Sequence, residues 1–68
     1  MLMRKILKVV SKPMDTEEVV KKLPSEKREE IIASLKSLKR MQLIYYEHDA
    51  WHLTQRGQDL MGRIKKSI

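Results

Sequence analysis

The spacing of apolar residues changes twice along the chain, and those changes limit the fold more than any other feature. Leu2, Met3, Ile6, Leu7 and Val10 recur at three- and four-residue steps, as do Ile31, Leu35 and Leu38 farther on. Such steps mark one face of a helix. From Leu43 the period breaks. Leu43-Ile44-Tyr45-Tyr46 and Trp51-His52-Leu53 are short runs rich in β-branched and aromatic residues, the composition of strands. Helical spacing returns with Leu60, Met61, Ile64 and Ile68. Helices, then a hairpin, then a last helix predict an α+β domain.

Local signals set the boundaries. Pro13 is predicted to end the first helix, because it has no N–H to donate and pushes Lys12 out of helical geometry. Asp15 or Thr16 caps a second helix, with Glu18 three residues beyond Asp15 as a capping box requires. Its stripe is Val19, Val20 and Leu23, Pro24 closes it, and so short a helix is unstable alone. Ser25 is predicted to open the third helix. Glu26, Glu29 and Glu30 near its start and Lys36, Lys39 and Arg40 near its end match the helix macrodipole. Ile31, Leu35 and Leu38 face one way with Ile32 at the edge; Glu26, Glu29, Ala33, Lys36, Ser37 and Arg40 face the other. Glu47-His48-Asp49-Ala50 is short and polar enough for a hairpin turn. If Tyr46 pairs with Trp51, then Ile44 pairs with Leu53, and these four side chains share a face expected to bury the aromatic pair. Tyr45 and His52 then share the other face. Thr54 is a good N-cap for the last helix. No repeat or linker interrupts residues 1–68, which read as a single domain.

A chain of 68 residues builds a small core, one that supplies only about 3–5 kcal/mol. Without cysteine it has neither disulfides nor thiolate metal sites. Self-association is the remaining source of extra stability. A two-fold homodimer is expected through the stripes of the first and last helices, at Leu2, Ile6, Leu60, Ile64 and Ile68. The alternative is a monomer whose terminal helices pack on each other. No apolar run approaches the roughly 18 residues of a membrane span, and Met1-Leu2-Met3-Arg4-Lys5 does not read as a signal peptide. A cytoplasmic location is therefore expected. The absence of asparagine with abundant Lys, Glu and Ile leans toward a thermophilic source. Lys and Arg number 15 against 9 Asp and Glu, a net charge of +6. Residues 1–34 carry +2 of it and residues 35–68 carry +4. Such an excess attracts polyanions, although it also serves solubility alone.

Two blocks carry a family resemblance. Leu38-Lys39-Arg40-Met41-Gln42-Leu43-Ile44 is similar to the stretch L-x-x-x-G-L-I that ends the third helix of winged helices and enters their hairpin. Trp51-His52-Leu53-Thr54-Gln55-Arg56-Gly57 is similar to the stretch hydrophobic-x-L-T-x-x-G that leads into their last helix. With the order of elements, they make the chain resemble small bacterial and archaeal transcription regulators of the MarR, PadR and ArsR kind. The resemblance implies a winged helix: a three-helix core with a helix-turn-helix, a two-stranded β-hairpin wing and a C-terminal helix. Two positions depart from it. Gln42 stands where the family has a helix-ending glycine, so it must accept left-handed geometry or the helix must end differently. Glu47 and Asp49 stand at the wing tip, where wings that grip the minor groove carry Arg or Lys.

In such regulators the third helix enters the major groove. Carried over, the resemblance implies duplex-DNA contacts from Ser25, Lys27, Arg28, Lys36, Ser37, Lys39 and Arg40, the cations meeting phosphates or guanine edges. Glu26 and Glu29 oppose that, because carboxylates are repelled by phosphates. A protein-interaction module of a transcription or replication assembly fits the same glutamates and polar wing, since fold alone does not decide function. No glycine-rich phosphate loop or ordered nucleophile-base set points to an enzyme, and no cofactor is implied. His48, Asp49 and His52 cluster around the hairpin, but without a further ligand they read as a solvated wing tip rather than a metal site. Trp51 and the tyrosines read as packing rather than base-stacking groups, and the five methionines as core filler and one initiator.

Overall fold

The computed structural model describes residues 2–66 of the chain, and side-chain surroundings for residues 2–63. Helix α1 (Leu2–Val9), α2 (Thr16–Lys22) and α3 (Arg28–Arg40) precede strands β1 (Ile44–Glu47) and β2 (Ala50–Leu53), and α4 (Gln55–Lys66) follows. The architecture is an α+β winged helix, with α2 and α3 as the helix-turn-helix and β1–β2 as the wing.

The expected inward faces form the core. Ile6, Leu7 and Val10 meet Val19, Ile31, Leu35 and Leu38, and Leu43, Ile44 and Trp51 close the cluster from the sheet side. Leu2, Leu53, Leu60 and Met61 pack half-buried around it. Ile6, expected on a dimer face, is fully buried within one chain. Helix α1 packs chiefly on α3, and Ile6 belongs to the monomer core and is not available to a second copy. Ile68 lies outside the described residues, as does the side chain of Ile64.

Two helix boundaries differ from expectation. Helix α1 stops at Val9, before Pro13, where the Ser11 hydroxyl donates to the Lys8 carbonyl at 2.7 Å. The extended chain through Pro13 then lets Met14 bridge to β2, its carbonyl accepting from the Trp51 N–H at 2.8 Å. Helix α3 starts at Arg28 rather than Ser25. Pro24 and Ser25 lie in a turn closed by the Glu26 N–H on the Leu23 carbonyl at 3.1 Å. Lys27 is the N-cap and offers no side-chain cap. Asp15 caps α2 as expected, its Oδ1 accepting from the Glu18 N–H at 2.8 Å.

The hairpin register is the expected one: Ile44 opposite Leu53, Tyr45 opposite His52, Tyr46 opposite Trp51. Glu47 pairs with Ala50, which leaves His48 and Asp49 as a two-residue loop with φ of 53° and 58°. Positive φ at both positions is what a type I′ turn requires. The aromatic pair is not buried together. Trp51 is 8% exposed and its indole N–H donates to the Thr16 hydroxyl at 3.0 Å, whereas Tyr46 is 45% exposed. Tyr46 packs edge-on against the Trp51 ring at 5.0 Å and leaves its outer side to solvent. Of the two, only Trp51 is buried in the core.

The end of α3 is joined tightly to the start of α4. Gln42 has φ of 62°, and the Gln42 and Leu43 N–H groups return to the Lys39 and Leu38 carbonyls, each at 3.0 Å. That is a Schellman ending with glutamine in the left-handed position, which costs about 1–2 kcal/mol in an L-residue. The Leu43 carbonyl then accepts from the Thr54 N–H at 3.0 Å, and the Thr54 hydroxyl donates to the Gln42 carbonyl at 2.6 Å while accepting from the Gly57 N–H at 3.1 Å. A Cβ on Gly57 would overlap the Leu43 carbonyl oxygen and press on the Leu53 side chain, whereas a Cβ on Gly62 would meet open space. Alanine is the better helix former by about 1 kcal/mol, so Gly62→Ala is expected to raise stability by up to that amount. Gly57→Ala is expected instead to lose about 2–3 kcal/mol to overlap. Urea melts of the two variants check this, and a gain at Gly57 would show that the junction is looser than described.

Candidate nucleic-acid interface

Helix α3 buries Ile31, Leu35 and Leu38 and leaves Glu29, Glu30, Ala33, Lys36, Ser37, Lys39 and Arg40 exposed. Its outward face is therefore divided along its length. The first turn is acidic and the last turn basic, with some 18 Å of helix axis between Arg28 and Arg40. The residues expected at the interface fall into two groups at these ends.

The group at the front does not form a cationic surface. Ser25 lies in the turn ahead of the helix and Lys27 at its exposed N-cap. Arg28 makes a two-pronged ion pair with Glu17 of α2, one arm at 2.7 Å. Its hydrogen bonds are the main reason the Glu17 carboxyl sits below its ordinary value of 4.5, and the same bonds raise Arg28 above its own. Both directions favour the charged pair at neutral pH, so Arg28 is engaged rather than free. Both side chains are exposed, and pairs of this kind add little stability. Glu26 holds Lys5 of α1 through a single contact at 3.1 Å.

The group at the back is different. Lys36 and Lys39 border a shallow groove floored by Leu35 and Trp51 and flanked by Tyr46. Lys39 also borders a neighbouring depression with Tyr45, Gln55 and Arg56. Arg56 in turn shares a cleft with Arg40, Arg63 and Asp59 between the end of α3 and α4. Among the described residues, none of these five cations takes part in an ion pair.

No protein-family model and no curated protein sequence matches the chain. Among solved structures it is similar to the quinone-bound YodB from B. subtilis, with a TM-score of 0.84 and 19% identity over 91% of this chain and 72% of that one. The likeness is one of fold. It agrees with the winged-helix architecture reached from the two sequence blocks.

The wing tip carries no Lys or Arg. His48 stands 3.6 Å from the Glu47 carboxylate, and Asp49 follows it in the loop. His52 lies on the other side of the hairpin, stacked on Tyr45 at 5.0 Å, with Nε2 3.1 Å from the Glu47 carbonyl. No group of three His, Asp or Glu among the described residues is placed to hold a metal ion. No helix among them is long and apolar enough to cross a membrane.

Sequence reasoning missed Arg56 and Arg63 as members of the basic surface. The available signal was their seven-residue separation, which sets two helix positions about 20° apart, together with the positive balance of residues 35–68.

Proposed function

We propose that this protein binds double-stranded DNA as a winged-helix regulator of transcription, reading the duplex with α3, and that it is a binding protein and not an enzyme. The observation that carries the proposal is the exposed cationic half of α3, with Lys36, Ser37, Lys39 and Arg40 open to solvent on a helix whose other face, Ile31, Leu35 and Leu38, is buried in the core. In helix-turn-helix proteins the second helix of the pair lies in the major groove, and Lys and Arg there contact phosphates or guanine edges. Ser25, Lys27 and Arg28 belong to the proposed surface only at its margin, Arg28 after release from Glu17.

Binding to a random-sequence duplex across a salt series tests the proposal. Affinity should fall steeply with salt, and the Lys36→Ala/Arg40→Ala variant should bind more weakly with a log–log slope shallower by about two. A specific observation favours a second reading as a protein-interaction module: Arg28 is occupied, Glu29 and Glu30 open α3, and Glu47 and Asp49 tip the wing. No duplex binding at low salt would select it. The bound quinone belongs to YodB, and a likeness of fold does not bring that ligand to this chain.

The proposal includes a two-fold dimer that would set two α3 helices for two half-sites. Support for it is confined to Leu2 and Leu60, half-buried at the edge of the core, and to Met3, which is 38% exposed. Sedimentation should then give twice the 8.1 kDa chain mass, and a particle of single-chain mass at micromolar concentration would remove the dimer.

A further inference from the structure

We infer that α4 supplies the flank of the DNA surface, with Arg56 and Arg63 holding the sugar-phosphate backbone beside α3 in place of the wing. The inference rests on the DNA-binding reading and assigns its phosphate contacts. Winged helices extend a recognition helix in one of two obvious directions, toward its N-terminal turns or toward the wing tip. Both are unfavourable here. The leading turn of α3 carries Glu29 and Glu30, and its arginine is held by Glu17. The wing tip carries Glu47 and Asp49. Phosphates approaching either end would be repelled.

The third direction is mainly cationic. Lys36 and Lys39 border one groove, Lys39 and Arg56 the next, and Arg56, Arg40 and Arg63 the cleft beyond it. Because each depression shares a cation with its neighbour, the five charges form one continuous band from the middle of α3 across to α4. Arg56 and Arg63 lie two turns apart on the same side of α4, a rise of about 10.5 Å, enough to meet separate phosphates at the duplex rise of about 3.4 Å per residue of one strand. Guanidinium groups suit this role, because their planar fork donates two parallel hydrogen bonds to one phosphate. The acid that intrudes is Asp59, whose Oδ1 accepts from Gln55 Nε2 at 3.1 Å. The band is also held in place. The Thr54 hydroxyl and N–H bond the start of α4 to the Gln42 and Leu43 carbonyls just past α3, and Gly57 packs against the Leu43 carbonyl, so Arg56 cannot drift away from Arg40 without breaking that junction.

The test compares Arg56→Ala/Arg63→Ala with Lys8→Ala/Lys12→Ala, which removes equal charge from exposed positions outside the band. Binding to one random-sequence duplex is followed by fluorescence anisotropy across a salt series, with a thermal melt of each variant confirming that it folds. The arginine pair should weaken binding on the order of tenfold near 0.1 M salt and flatten the log–log slope by about two. The lysine pair should leave the slope unchanged, and Asp59→Asn should tighten binding. Wild-type binding from the arginine variant, or an equal loss from the lysine variant, would overturn the inference. If Lys36→Ala/Arg40→Ala weakens binding while Arg56→Ala/Arg63→Ala does not, DNA binding stands and the role of α4 falls. A wild-type protein that binds no duplex removes both.

Discussion

The backbone contact between the end of α3 and the start of α4 governs the rest of the structure. The Leu43 carbonyl takes the Thr54 N–H and lies so near Gly57 that no side chain fits between them. Thr54 bonds in two directions at once, capping α4 through the Gly57 N–H and holding the Gln42 carbonyl. Fixing these four residues fixes the angle at which α4 crosses the end of α3. It also explains why a strained Gln42 is tolerated. The left-handed turn delivers Leu43 to the core and its carbonyl to α4, and several hydrogen bonds and buried side chains depend on that delivery.

Trp51 does for the front of the sheet what Thr54 does for the back. Its N–H meets the Met14 carbonyl and its indole meets Thr16, so the loop after α1, the start of α2 and the wing are tied to one residue. In a chain with a small core and no cysteine, such multiply bonded residues replace covalent staples. The wing is thereby anchored at its base, while its tip, with two left-handed residues and two acids, is left in solvent.

Much of this was legible in the sequence because its causes are local. Helical spacing placed Ile31, Leu35 and Leu38 in the core, the hairpin pattern offered the register with Tyr46 opposite Trp51 that the structure adopts, Asp15 proved the cap of α2 out of Asp15 and Thr16, and Thr54 capped α4 as expected. Of the two outcomes open at Gln42, left-handed geometry or a different helix ending, the structure takes the first. What was not legible depends on residues brought together from afar. The Met14 bridge needs the wing already folded, and the capture of Arg28 needs Glu17 across the helix-turn-helix. The start of α3 turned on a competition between a Ser25 cap and the turn that Pro24 begins, which no spacing rule settles. Ile6 was assigned to an outer stripe because a stripe does not reveal which of its members faces the neighbouring helix. Arg56 and Arg63 join Arg40 only through the crossing angle of α4.

Acids occupy the leading turn of α3 and the wing tip, and five cations, Lys36, Lys39, Arg40, Arg56 and Arg63, border the depressions between α3, the wing and α4. The central claim is that a duplex meets this band. Titrating 15N-labelled protein with a short DNA duplex and following backbone amide shifts tests it most directly. The account predicts the largest changes at Lys36, Ser37, Lys39, Arg40, Arg56 and Arg63, with Glu29, His48 and Asp49 nearly still. Changes concentrated at the first turn of α3 and the wing tip, with the band silent, would contradict it.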